Sequence, residues 1–195
     1  AIGMTNAKAC VSPPGGTKAV LGTNPIAMSV PDGKGGLAMQ FDQSTSAIAI
    51  GKINMAATAG EEIPLGWGVD SKGQATQDPN AVLQGGSLVS SGGYKGYGFG
   101  LMAEILAAAF TGGSTSTQLE PLKATAGQPH DLGQCYIIID PTNVSGDLFW
   151  DKLSAISGAV TSQPGARLPG SQKVLPETVE LDADVWQSVL KLANH

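Results

Sequence analysis

The chain has 195 residues, enough for one sizeable hydrophobic core, and 42% of them are apolar against 14% charged. A net charge of −5 and the lack of any Lys/Arg cluster argue against nucleic acid or an anionic membrane surface as partner. Glycine is frequent, at 27 residues, but it is spread through mixed apolar sequence, which excludes a disordered or fibrous chain.

The opening Ala1-Ile-Gly-Met-Thr-Asn has no initiator methionine and begins in mid-strand, so the chain is expected to be a piece of something longer. Ile2–Thr5 reads as a strand that enters the Pro13–Gly16 turn, with Cys10 between them. Cys10 and Cys135 lack a ligand spacing, so two buried free thiols in a cytoplasmic protein and no metal site are expected. Asn24-Pro25 fixes the entrance to a second strand over Ile26–Val30. The Asp32–Gly36 loop leads to a third, Leu37–Phe41. Asp42 or Ser44 is placed to cap a helix that runs to about Ala59 and stops at Gly60. Ile63–Gly86 carries repeated turn signals and reads as an irregular excursion.

The glycine-rich turn before Gly98–Phe110 dominates the middle of the chain. Glu104 is the single charge in that apolar helix, which predicts burial on nearly every side in a core or a subunit interface. Buried Glu104 needs a partner, for which Lys95 or a backbone amide is expected. Ser114–Gly127 reads as a mobile polar loop and Gln134–Ile139 as a strand. Asp147–Thr161 is an amphipathic helix, Val179–Leu181 a short strand, and Asp182 or Asp184 caps a final helix. Short strands with hairpin-type connections predict an α/β fold of the α+β type: one layer of mostly antiparallel mixed sheet covered by helices, with no Rossmann unit.

Gly92, Gly93, Gly96 and Gly98 lack the Cβ atoms that keep backbone amides from a ligand, and they lie ahead of the positive end of a helix dipole beside Lys95. The turn therefore serves either an anion or the close packing of a buried helix. Asp42 either caps its helix or holds a histidine. Ser44, Thr45 and Ser46 offer hydroxyls to a phosphate or simply cap. His130 and His195, one in a loop and one at the terminus, are weak candidates for a general base. Tyr94, Tyr97 and Trp67 either line a pocket or pack in the core.

Six motifs then occur in order: Leu21-Gly-Thr-Asn-Pro-Ile-Ala, Phe41-Asp-Gln-Ser-Thr-Ser-Ala, Gly66-Trp-Gly-Val-Asp with Thr76-Gln-Asp-Pro, Gly92-Gly-Tyr-Lys-Gly-Tyr-Gly, Ile138-Ile-Asp-Pro and Arg167-Leu-Pro-Gly. Over its whole length the chain resembles the non-Rossmann malate/L-lactate dehydrogenase family, which includes piperideine-2-carboxylate reductase and sulfolactate dehydrogenase. The resemblance implies NAD- or NADP-dependent hydride transfer to or from the carbon next to a carboxylate of a 2-oxo acid, 2-hydroxy acid or cyclic 2-imino acid.

By that resemblance the cofactor is held by Asp42, Ser44, Thr45, Ser46, Tyr94, Lys95, Pro169, Gly170 and Ser171, although many relatives carry an acidic residue where Ser171 stands. Asp42 is also implied as the catalytic carboxylate that orients the family's histidine, which belongs to an N-terminal segment outside this chain. Residues 1–195 are then one cofactor-binding domain with a C-terminal helical segment, in a cytoplasmic homodimer. The contrasting reading is a non-catalytic dimerisation or binding module. The 195 residues by themselves are expected to show no dehydrogenase activity; turnover by the purified chain would point back to His130.

Overall fold

A computed structural model describes residues 1–121, 129–171 and 177–193. The main sheet has four strands: β1 (Ile2–Thr5), β2 (Ile26–Pro31), β3 (Leu37–Gln43) and β4 (Gln134–Ile137). Their order is β3-β2-β1-β4 and every neighbouring pair is antiparallel. Asp32 closes the β2–β3 hairpin by accepting from the amides of Lys34 and Gly36, and those two bonds hold its carboxyl below the usual range. At the other end of the hairpin β3 continues to Gln43, pairing Asp42 with Ala27.

That extension overturns the expected helix cap. Helix α1 spans Ile50–Ala59, its N-cap is Ala49 with no side-chain bond, and Asp42 and Ser44 lie upstream of it. The stop at Gly60 is as expected, with φ of 70° in the left-handed region. Residues 63–86 are more ordered than the turn signals suggested. They hold helix α2 (Pro79–Leu83), capped by Asp78, and strand β5 (Gly68–Val69), which pairs with β6 (Ser87–Leu88). The core lies here, off the main sheet, where Val11, Leu21, Ile53, Ile63, Val82 and Leu88 pack together.

Helix α3 starts at Tyr94, earlier than expected, and runs to Glu104; a π-helical segment, Ile105–Ala109, continues it onto β1 and β4. Within the chain it is buried on one side only. Gly96, Gly100, Ala103 and Glu104 face inward, while Phe99, Leu101, Met102, Ile105 and Phe110 are exposed. Of the two expected partners of Glu104 the backbone amide is found and Lys95 is not: Glu104 accepts from the Ser116 amide at 2.6 Å, from Ser116 Oγ and from Asn24 Nδ2 at 2.8 Å. Asn24 is 0% exposed and, among the described residues, is the one non-glycine residue with positive φ, at 33°.

Helices α4 (Leu148–Thr161) and α5 (Ala183–Ala193) bury no residue within the chain. The fourth strand ends at Ile137, two residues early, and residues 179–181 form no strand. Of the expected 114–127 loop, residues 122–127 lie outside the described residues, as does His195.

Two glycines test the packing. A Cβ on Gly133 would collide with the Ala107 carbonyl of the π segment, whereas one on Gly98 would meet nothing. Gly133→Ala is expected to cost about 1–3 kcal/mol by forcing the π segment off β4. Gly98→Ala, at an exposed helical position, should be neutral or stabilise by up to about 1 kcal/mol. Urea denaturation of the two variants against the parent checks both.

Candidate active-site cleft

The turn after β3 and the first two turns of α3 face each other across a cleft of about 570 Å³. One wall is Ser44, Thr45, Ser46 and Ala47; the other is Ser91, Lys95, Gly96 and Phe99; Ile26, Phe41 and Gln43 complete it from the sheet.

The Ser44–Ala47 wall is held by side-chain bonds to neighbouring backbone carbonyls. Thr45 Oγ1 lies 3.0 Å from the Thr23 carbonyl oxygen and 3.2 Å from that of Asn24, within donating distance of both. Ser46 Oγ lies 2.8 Å from the Ile48 carbonyl oxygen and 3.2 Å from Ser44 Oγ. The hydroxyls therefore do not sit at the N-terminus of α1, as the sequence suggested, but in a turn tied to β2 and to the segment before α3. The Ser91 amide donates to the Thr45 carbonyl at 2.9 Å, and Ser46 bridges to Ser90.

The positive helix end at this cleft belongs to α3. Gly92 and Gly93 have φ of 64° and 66°, a conformation that side chains resist, and a Cβ on either would meet nothing, so the turn is open. Gly96 serves differently, because a Cβ there would strike the Ser91 carbonyl. Gly100 lets α3 lie against Thr45, whose Oγ1 would be 2.9 Å from an added Cβ. The unpaired amides of the first turn of an 11-residue helix and one lysine form a donor set suited to a phosphate, while the three hydroxyls opposite them are bonded to backbone carbonyls.

The expected site residues fall into two groups. Ser44, Thr45, Ser46 and Lys95 come together in the cleft. Asp42 lies instead on β3, which Pro169 and Gly170 meet at Gln40. The Pro169 carbonyl accepts from the Gln40 amide at 3.1 Å, and Gly170, with φ of 84°, packs on Gln40. Gln40 and Asp42 share a face of the strand, opposite to Phe41 and Gln43, by the alternation of side chains. Ser171 Oγ lies 2.7 Å from the Leu168 carbonyl oxygen, and Tyr94 is 72% exposed at the start of α3.

Phe41, Gln43, Phe99 and Ile26 line the cleft but were not named from the sequence. Two signals were available: Phe41 and Gln43 alternate on one strand face, and Phe99 follows Lys95 at helical i, i+4 spacing.

The remaining candidates lie elsewhere. Tyr97 and Trp67 pack on the core, and burial followed by the charge of Glu104 pushes the Tyr97 phenol up. His130 is exposed in its loop, and among the described residues no cluster of His, Cys, Asp or Glu is placed to hold a metal ion. No helix among them is long and apolar enough to cross a membrane. Both cysteines are free but half-buried, not fully buried as expected.

An antiparallel sheet carrying a glycine-opened helix end over a hydroxyl-rich turn defines an α/β protein with a phosphate-suited cleft outside the Rossmann class. The chain belongs to the malate/L-lactate dehydrogenase family, whose model matches residues 1–188. It is 39% identical over 175 residues to a Δ1-pyrroline-2-carboxylate/Δ1-piperideine-2-carboxylate reductase of Pseudomonas syringae pv. tomato, covering 90% of this chain and 51% of that protein. It is 36% identical over 173 residues to a (2R)-3-sulfolactate dehydrogenase (NADP⁺) of Chromohalobacter salexigens, covering 89% and 51%. The solved Δ1-piperideine-2-carboxylate reductase of P. syringae pv. tomato superposes with a TM-score of 0.84 at 34% identity, over 98% of this chain and 59% of that one. The chain thus spans about half the length of these relatives.

Burial raises the Cys10 thiol from 9.0 to about 11, against a smaller opposing bond to the Thr23 backbone. The folded state therefore holds this proton more tightly, and its contribution to stability is complete below pH 9.0 and lost as pH rises to about 11. Unfolding midpoints on either side of that window should fall with pH less steeply in Cys10→Ala than in the parent.

Proposed function

We propose that the chain is the cofactor-binding portion of an NAD(P)-dependent oxidoreductase that moves hydride between nicotinamide and a 2-oxo/2-hydroxy acid, such as malate or lactate, or a cyclic 2-imino acid. The observation that carries this is the meeting of Lys95, the open first turn of α3 and the Ser44–Ser46 hydroxyls across one cleft, in a chain of this family. The donor set suits a pyrophosphate, and Phe41, Phe99 and Ile26 supply apolar wall for a flat ring.

In this reading Lys95 and the α3 amides neutralise phosphate charge, and Thr45 and Ser46, locked to the backbone, keep the opposite wall in place. The bound nicotinamide supplies or accepts the hydride. Asp42 holds the imidazole of a histidine from the family's N-terminal segment, so that the imidazolium can deliver a proton to the substrate oxygen or nitrogen. Pro169, Gly170 and Ser171, fastened to β3 at Gln40, approach the cofactor from the Asp42 side, with Tyr94 at the mouth of the helix turn. Residues 1–195 act as one domain with a C-terminal helical segment. The exposed Leu101, Met102, Ile105 and Phe110 face supports a homodimer, placed in the cytoplasm.

Fluorescence titration of NADH and NADPH against the full-length parent protein tests the reading. Lys95→Ala is expected to weaken the preferred nucleotide about tenfold or more. Asp42→Ala should abolish turnover of a 2-oxo acid panel, a loss far larger than any it causes in nucleotide affinity. If neither nucleotide binds, the cleft is not a dinucleotide site and the glycine turn is a packing device.

A further inference from the structure

We propose that Asn24 and Glu104 form a positioning pair that fixes the separation of the two cleft walls. Both lie outside the cleft. Asn24 Nδ2 reaches Glu104 Oε2 at 2.8 Å and the Gly100 carbonyl at 3.1 Å, so this one amide holds α3 just past Phe99, the last helix residue that lines the cleft. On its other side Asn24 holds the Ser44–Ala47 wall: Thr45 Oγ1 lies within donating distance of the carbonyls of Thr23 and Asn24, and the Thr45 amide donates to Thr23.

The circuit closes through the cleft itself. The Thr45 carbonyl accepts from the Ser91 amide, and Ser91 abuts Gly96 of α3 where a Cβ would not fit. A shift of Asn24 therefore moves both walls together. Glycine would adopt the positive φ of Asn24 without steric cost, so backbone conformation alone does not call for asparagine. What glycine lacks is the amide that joins α3 to the β2 entrance. Asn24 Oδ1 accepts from the Ala7 amide at 3.1 Å, and Ser116 anchors the far side of Glu104 through its amide and hydroxyl. Among the described residues no buried polar side-chain atom is left without a partner, and removing either member takes away the one bond that joins them: Glu104 then keeps only Ser116, and Asn24 Nδ2 only the Gly100 carbonyl.

The consequence for nucleotide affinity rests on the reading proposed above; the consequence for the walls does not. The experiment uses the full-length parent protein with Asn24→Gly, Asn24→Asp, Glu104→Gln and the exchanged pair Asn24→Asp/Glu104→Gln, in which donor and acceptor trade places. Amide hydrogen exchange reports residues 44–47 and 94–100, and fluorescence reports the Kd of NADH and NADPH for the folded protein.

Each single variant is expected to speed exchange at both walls by about tenfold or more and to weaken the nucleotide by a similar factor, and the exchanged pair to recover part of both, because it restores the bond between positions 24 and 104 but not the one to the Gly100 carbonyl. Loosening of one wall without the other overturns the pair. So does an unchanged Kd in folded variants that merely melt earlier, because that is a structural role alone. If the parent binds neither nucleotide, the dinucleotide reading fails, and exchange decides the pair: loosening at both walls upholds it and unchanged protection overturns it. Should Asn24→Asp or Glu104→Gln not fold, Asn24→Gly and the exchanged pair carry the same comparison.

Discussion

A carboxylate is tolerated inside a protein only where donors converge on it, and Glu104, 8% exposed in an otherwise apolar helix, receives three. Those donors come from Asn24, 80 residues earlier in the chain, and from Ser116, 12 residues later. Satisfying Glu104 therefore brings the β2 entrance and the segment after the π turn onto one side of α3. The rest of the site follows from that placement. Once α3 is pinned near its C-terminal end, its first turn, with Lys95 and Gly96, is delivered to the turn after β3.

The close approaches around this helix need small residues, and the chain supplies glycine in two distinct capacities. At Gly92 and Gly93 the backbone takes a positive φ in open space, which turns the chain into α3 and leaves the first amides accessible. At Gly96, Gly100 and Gly133 the helix meets Ser91, Thr45 and the strand at separations that leave no room for a Cβ. The first kind leaves the helix end open and the second sets the walls beside it, so the glycine turn shapes the cleft and the packing at once.

Much of the sheet was legible from local pattern. The strands over 2–5, 26–30 and 37–41, the hairpin at 32–36 and the stop at Gly60 rest on apolar runs, turn residues and a left-handed cap, all of which act over a few residues. The misread start of α1 has a clear cause. Asp42 and Ser44 have the chemistry of helix caps, but pairing with Ala27 and Ile26 carries β3 past that point, and the partner strand is invisible in a local window. In the same way α3 looked apolar all round because its residues are; which face is covered depends on where the sheet and the β2 entrance lie. The exposed apolar residues of α5 show the converse, since their helical spacing was plain in the sequence although no residue of α5 is buried in the chain.

The sequence by itself determined the residue types that matter: a lysine in a glycine turn, a run of hydroxyls, one charge inside an apolar helix, and the ordered motifs of a family. These are properties of short stretches, set by propensity, conformational freedom and side-chain chemistry. Only the tertiary structure decided that Lys95 shares a cleft with Ser44–Ser46 while Asp42 turns to the opposite face with Gly170, and that Asn24 rather than Lys95 partners Glu104. Those outcomes depend on strand register and on donors tens of residues apart, and burial favours an arrangement in which, among the described residues, every buried polar side-chain atom has a partner.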